Sequence, residues 1–192
     1  MIESMSEPNI RMRRPTLEHL PTIPILPNGY ELHQFVKGDN SKVLGDLLTA
    51  AFEEPWDETR VKTDLTEAPD VHAVYIVTYQ GEMVSTASSQ LREKHTTTSG
   101  YVHWVGTRPD HRGKGLAYAL VARVLQDFVE RGYEGSYLET QPSRHAAIKT
   151  YLKLGFTPEY ERDGQNQQAI WSEIFQGMFK KSRREKGGGR RE

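Results

Sequence analysis

A chain of 192 residues has room for one well-buried domain, and the absence of cysteine excludes disulfides, thiolate metal sites and a cysteine nucleophile. Lys and Arg number 25 against 26 Asp and Glu, but Lys180 to Glu192 carries seven cations against two Glu, which leaves residues 1–179 at −6; such a body suits amine substrates and equally suits ordinary solubility. The first thirty residues lack the apolar core of a signal peptide, and no uncharged apolar stretch approaches the ~18 residues of a membrane span, so the expectation is a soluble cytoplasmic protein with no membrane attachment.

Pro8, Pro15, Pro21, Pro24 and Pro27 break up residues 1–28, which read as an extended lead-in to a domain over residues 29–179. A first strand is predicted from Tyr30 to Val36. Asp39 or Asn40 then caps a helix bearing Val43, Leu44, Leu47, Leu48, Ala51 and Phe52, and a short helix follows around Glu58 to Leu65. Val71 to Tyr79 is rich in β-branched and aromatic residues as a buried strand requires, and Gln80-Gly81-Glu82 turns it into a strand reaching about Arg92. Beyond a polar loop at Lys94 to Ser99, Tyr101 to Thr107 forms the next strand. A helix from Leu116 carries Leu120, Val124 and Phe128 on one stripe and stops at Gly132. Tyr137 to Thr140 is a short strand, Ser143 a cap for a helix ending at Gly155, and Phe156 to Tyr160 returns to the sheet. Ile170, Trp171, Ile174, Phe175 and Met178 have helical spacing, and the Trp171 and Phe175 stripe is either core or a homodimer surface. Residues 180–192 read as a basic, glycine-rich, disordered tail.

His111 to Ala117 (His-Arg-Gly-Lys-Gly-Leu-Ala) joins a strand to a helix and is shaped to hold a phosphate. Gly113 and Gly115 admit close backbone approach, and the helix start points its free N–H groups outward. A P-loop needs Ser or Thr after its Lys, whereas Gly115 follows Lys114. A dinucleotide fingerprint needs a third small residue where Tyr118 stands. Both readings fail on spacing.

Arg112-Gly-Lys-Gly115-Leu-Ala117 resembles the R/Q-x-x-G-x-G/A signature of the GNAT superfamily of acyl-CoA N-acyltransferases. In that family the signature follows the fourth strand and opens the third helix, and a later helix has a pattern similar to Ala147-Ile148-Lys-Thr-Tyr151-Leu-Lys-Leu-Gly155-Phe156. The resemblance spans Tyr30 to Tyr160. It implies an α/β (α+β) fold: a single domain with a mixed, mostly antiparallel sheet of six or seven strands flanked by helices, and a cofactor cleft between the fourth and fifth strands.

The resemblance also implies roles. Main-chain groups of Val105, Gly106 and Thr107 bind the pantetheine arm of acetyl-CoA, with an amide near Val105 polarising the thioester carbonyl and Gly106 leaving room for ligand. Arg112, Gly113, Lys114, Gly115, Leu116 and Ala117 cradle the pyrophosphate, the two basic side chains assisting. Tyr151 returns a proton to the leaving thiolate. The base is His103 or Glu139. Arg144 stands where many relatives carry Asn and meets either a phosphate or an acidic substrate group. Without cysteine, an amine attacks the thioester directly in a ternary complex. No metal is required, and the other histidines form no ligand cluster.

The implied function is acetyl transfer from acetyl-CoA to a primary amine. Two alternatives remain at this level: a non-catalytic acyl-CoA-binding regulatory domain, and an enzyme directed to protein or ribosome through the basic tail. That tail has no interleaved aromatics, which argues against nucleic acid. The acceptor, a small-molecule or a protein amine, is set by residues 40–68 and the loop at Lys94 to Ser99, where Glu53, Glu54, Trp56 and Asp57 form an acidic-aromatic patch. Nothing in these segments separates acetyl from a longer acyl group.

Overall fold

Alternation along the chain turns into layers. The computed structural model describes residues 9–92, 98–162 and 164–187. Its strands are β1 (Ile10–Arg14), β2 (Tyr30–Gln34), β3 (Val71–Tyr79), β4 (Glu82–Gln90), β5 (Ser99–Thr107), β6 (Gly135–Thr140), β7 (Thr157–Pro158), β8 (Glu161–Arg162) and β9 (Gln165–Asn166). The helices are α1 (Ser41–Phe52), α2 (Glu58–Val61), α3 (Leu116–Glu130), α4 (His145–Lys153) and α5 (Gln168–Gly187). Seven strands form the main sheet in the order β2-β3-β4-β5-β6-β1-β7. Pairing is antiparallel from β2 to β5 and between β1 and β7, and parallel between β5 and β6. This is the single α/β domain with a mostly antiparallel, mixed sheet that the motifs imply. Its residues cluster into two compact units, Arg14–Leu138 and Met1–Arg13 with Glu139–Glu192.

In the first unit, β3 is covered on both sides. Val74 and Ile76 face a cluster with Leu44, Leu47 and Leu48 of α1 and with Trp56, Val61 and Leu65, while Tyr75, on the alternate side, donates its hydroxyl proton to Asp127 of α3 at 3.0 Å. Asn40 caps α1, its Oδ1 accepting from the amides of Lys42 and Val43. The short helix α2 runs on as a π-helical turn, Lys62–Thr66. The start of α3 follows the glycine turn, and its end closes at Gly132: the amide of Gly132 donates to Val129 O and that of Tyr133 to Phe128 O, the pair of bonds that defines a Schellman stop.

Four features depart from the sequence reading. The lead-in contains β1, in which Ile10 and Met12 are fully buried and Arg11 is buried beside them; its proline neighbours hide a strand that pairs with β7. The hairpin of β8 and β9 was not foreseen, because two-residue strands carry no periodicity. Ser143 is not the residue that starts α4: the N-cap is Arg144, with no side-chain cap bond. The helix α5 continues to Gly187, so the first part of the basic segment is helical backbone; residues 188–192 lie outside the described residues. Trp171 is fully buried and its indole Nε1 donates to Glu159 O at 3.2 Å, which makes it core in its own unit and not a dimer surface. Among the described residues, no helix is long and apolar enough to cross a membrane.

The helix α3 approaches β5 closely at Gly100, where a Cβ would sit 2.3 Å from the Phe128 ring. Gly100→Ala therefore overpacks the core and lowers unfolding stability by about 1–3 kcal/mol in a urea titration. Phe128→Leu in the same chain recovers part of the loss, and a Gly100→Ala variant as stable as the parent contradicts the packing described.

Candidate active site

The strand β5 is one residue too long for its neighbour. Its Thr107, Gly106, His103, Val102 and Tyr101 pair with Ser85, Thr86, Ser88, Ser89 and Gln90 of β4. Between these pairs Ala87 alone opposes both Trp104 and Val105. The extra residue is a β-bulge, and Trp104 absorbs it with φ of +48°, a left-handed conformation that a bulky residue adopts only under constraint. The constraint is visible: the indole meets Trp56 edge-on at 4.5 Å between centroids and Phe52 at 5.5 Å. On its other side β5 pairs with β6 only from Ser99 to Val102, so the bulge and the residues up to Thr107 extend past that ladder.

Gly106 lies beyond the bulge. A Cβ there would come within 2.9 Å of Ala51 Cβ and 3.1 Å of the Phe52 ring. The missing side chain lets α1 pack on β5, and the expected role of leaving room for ligand is corrected accordingly.

From Thr107 the chain passes through a short 3-10 turn, Pro109–His111, into the glycine turn. His111 is anchored at its start, with Nδ1 2.9 Å from Tyr30 Oη. Gly113 and Gly115 have φ of +80° and +79°, and a Cβ on either would meet nothing within 4 Å. Glycine is needed here for conformation and leaves the surface open. Gly115 is the N-cap of α3 and no side chain caps it, so the first-turn N–H groups of Leu116 and Ala117 point outward as unclaimed donors. Both basic side chains reach back to main-chain carbonyls. Arg112 Nε donates to Thr107 O at 3.2 Å and Lys114 Nζ to Asp110 O at 2.9 Å. Both bonds brace the turn.

His103 stacks between Tyr101, 4.8 Å away, and Trp104, 4.2 Å away, with Nδ1 3.2 Å from Gln90 Oε1. Burial, helped by the charge of Arg92, pushes its pKa down to about 3. A ring that gives up its proton so readily cannot take one from an alkylammonium, so it does not fit the base role.

In the second unit, the run from Tyr151 to Phe156 is itself a Schellman stop. The amide of Gly155, at φ of +83°, donates to Leu152 O and that of Phe156 to Tyr151 O; the rings of Tyr151 and Phe156 meet at 6.1 Å in the hydrophobic contact that accompanies this motif. The spacing Tyr-x-x-x-Gly-Phe thus encodes the orientation of the phenol. Burial pushes the Tyr151 pKa up to about 12, with Arg144 opposing the shift, so Oη keeps its proton at physiological pH. Arg144 Nε donates to Gln141 Oε1 at 2.9 Å. Glu139 is held elsewhere: its Oε1 accepts from Arg11 and from Arg162, both at 2.9 Å, and Arg11 and Arg13 also pair with Glu159. This carboxylate is the hub of an ion-pair network, an occupation that the sequence did not disclose because Arg11 is 128 residues away.

The acidic-aromatic patch is likewise committed. Arg60 lies over the Trp56 ring at 3.9 Å and binds Glu54 at 2.9 Å, and Asp57 caps α2. The other loop expected to set the acceptor lies largely outside the described residues. No group of three His, Asp or Glu among the described residues is arranged to hold a metal ion.

Residues 42–156 match the model of a family described as the Acetyltransferase (GNAT) family, and the chain belongs to that family. A mycothiol acetyltransferase from Streptomyces scabiei is 28% identical over 159 residues, which cover 80% of this chain and 51% of that protein. Among solved structures, a GCN5-related N-acetyltransferase from Sphaerobacter thermophilus is similar with a TM-score of 0.63 at 25% identity, over 79% of this chain and 48% of that one. AAC(6')-Iy, solved with the bisubstrate analogue CoA-S-monomethyl-acetylneamine, shares the fold with a TM-score of 0.59 at 19% identity, over 69% of this chain and 93% of that one. The chain spans about half the length of the curated relatives it matches. Acetyl-CoA is the donor the family uses.

The depressed pKa of His103 has a signed consequence. Its folded value of about 3 lies below the ordinary 6.5, so the stability it contributes is complete above pH 6.5 and is lost as pH falls towards 3, at up to ~1.4 kcal/mol per pH unit for one proton. Denaturation curves between pH 7 and 4 should show this slope flattened in His103→Gln, and an imidazole that titrates near 6.5 by NMR contradicts the burial.

Proposed function

We propose that the chain transfers an acetyl group from acetyl-CoA to a primary amine, by direct attack in a ternary complex. The observation that carries this reading is the pairing of an uncapped α3, entered through Gly113 and Gly115 in open space, with a bulged β5 that ends beside it. When bound, acetyl-CoA supplies the thioester that is attacked. Main-chain N–H groups from Gly113 to Ala117 bind its pyrophosphate, with Arg112 and Lys114 holding the loop in shape. Main-chain groups of Val105, Gly106 and Thr107 bind the pantetheine arm, and the Val105 amide, turned by the bulge, donates to the carbonyl oxygen as charge develops there.

Tyr151 carries the acid role that its motif implies. A phenol at about 12 holds its proton until an anion presents itself; it then donates a hydrogen bond to the departing sulfur. We assign no side chain as base. The His103 ring is too weak, and Glu139 is enclosed by Arg11 and Arg162. The acceptor is an amine on a small molecule or on a protein, and it enters the reaction as the free base after losing its proton to water.

Two measurements test this reading. Gly115→Glu puts a carboxylate at the helix start, so calorimetry should find acetyl-CoA binding abolished while circular dichroism stays that of the parent; retained binding sinks the cofactor assignment. In a thiol-release assay over a panel of amines, Tyr151→Phe should lower kcat about 10²-fold with KM little changed, and kcat/KM should rise with pH towards the pKa of the amine. A plateau near pH 7 would reveal an enzyme base.

A further inference from the structure

The strand β4 is polar where a central strand is ordinarily apolar. Ser85, Thr86, Ser88, Ser89 and Gln90 are all buried, and buried hydroxyls are costly unless they are bonded. The Oγ1 of Thr86 and the Oγ of Ser89 have no hydrogen-bond partner among the described residues. Ser88 Oγ donates to His103 O at 3.1 Å. Ser85 Oγ donates to Gly106 O at 2.8 Å and lies 2.7 Å from Thr107 Oγ1. His103 and Gly106 are the two residues that flank the bulged pair, Trp104 and Val105. Each side of the bulge is therefore tied to β4 by a serine through a carbonyl.

The same bonds set the direction of a small ring. A carbonyl only accepts, so the one proton of Ser88 goes to His103 O, and Ser88 Oγ accepts from Gln90 Nε2 across a long 3.5 Å. That orients Gln90 with Oε1 towards His103, at 3.2 Å from Nδ1. Nδ1 carries the ring proton and Nε2 the lone pair. Backbone and side chain of His103 are held by one circuit.

We propose that Ser85 and Ser88 are positioning residues, a two-hydroxyl clamp that holds the bulged main chain of β5 so that the Val105 amide keeps the direction the reaction needs. The clamp deepens the proposed function and rests on its assignment of Val105. It acts through the backbone, and neither hydroxyl touches a reacting atom. A left-handed Trp104 relaxes if its flanking carbonyls are released, and the amide direction relaxes with it.

The test uses the full chain with two probes: adenosine 3′,5′-bisphosphate, which reaches only the glycine turn, and acetyl-CoA, which also reaches β5. Ser88→Ala and Ser85→Ala should each speed amide exchange at Trp104 and Val105 about tenfold, with the amides of β3 unchanged. Each should weaken acetyl-CoA about tenfold and the bisphosphate less than twofold. Thr86→Val, which removes an unbonded hydroxyl from the same strand, should leave exchange and both affinities as in the parent. If Ser88→Ala does not fold, Ser88→Cys keeps the volume with a weaker donor and should fall between parent and Ser85→Ala. Unchanged exchange at the bulge, or equal losses for the two probes, overturns the clamp. A parent chain that binds neither probe overturns the donor assignment instead, and the exchange data still decide whether the clamp exists.

Discussion

Two residues of β5 opposite one of β4 is the constraint from which the site follows. A regular ladder would have alternated Trp104 and Val105 onto opposite faces and kept their amides within the sheet. The bulge instead drives Trp104 into the left-handed region. The cost is of order 1–3 kcal/mol, and it is offset by the edge-on contacts with Trp56 and Phe52. Those contacts seat α1 and the segment after it on the sheet, and they bring Ala51 and Phe52 so near Gly106 that no side chain fits there. One inserted residue thus sets the direction of a main-chain amide, the seat of a helix and the identity of a glycine.

The second device is the Schellman stop, used at both helices that matter. At the end of α3 it only ends a helix. At the end of α4 it does more, because the residue whose carbonyl accepts the Phe156 amide is Tyr151, and the ring contact between the two removes rotamer freedom from the phenol. The ordering of this phenol is thus completed during folding. The glycine at 155 is required by φ of +83°, and so the placing of a buried phenol is written in the rules of helix termination.

Long, periodic elements were legible in the sequence because their signal is local. The strand at Val71–Tyr79 and the helix carrying Leu116, Leu120, Val124 and Phe128 bury the faces their spacing marks. The glycine turn and the Tyr151 to Phe156 run were legible for a related reason: each is a short stretch whose geometry depends on its own residues. What stayed hidden is non-local. Pairing of Arg11 and Arg162 on Glu139 joins residues scattered over the chain, the strand Ile10–Arg14 is recognisable only beside β7, and the bulge at Trp104 exists only relative to β4. The role of Gly106 was misread because a glycine that admits a helix and one that admits a ligand look the same in sequence.

Burial is the largest cause of two opposite pKa shifts, one in each compact unit. The fold pushes His103 down to about 3 and Tyr151 up to about 12, so across the physiological range one is an acceptor without charge and the other a donor without charge. The first unit also offers main-chain dipoles: β5 runs past its ladder with β6 after Val102, and α3 starts at Gly115 with no side-chain cap. Dipoles fixed by the fold need no reorganisation when charge appears, and under the proposed clamp the serines of β4 that donate to the carbonyls of His103 and Gly106 are what keep that backbone fixed.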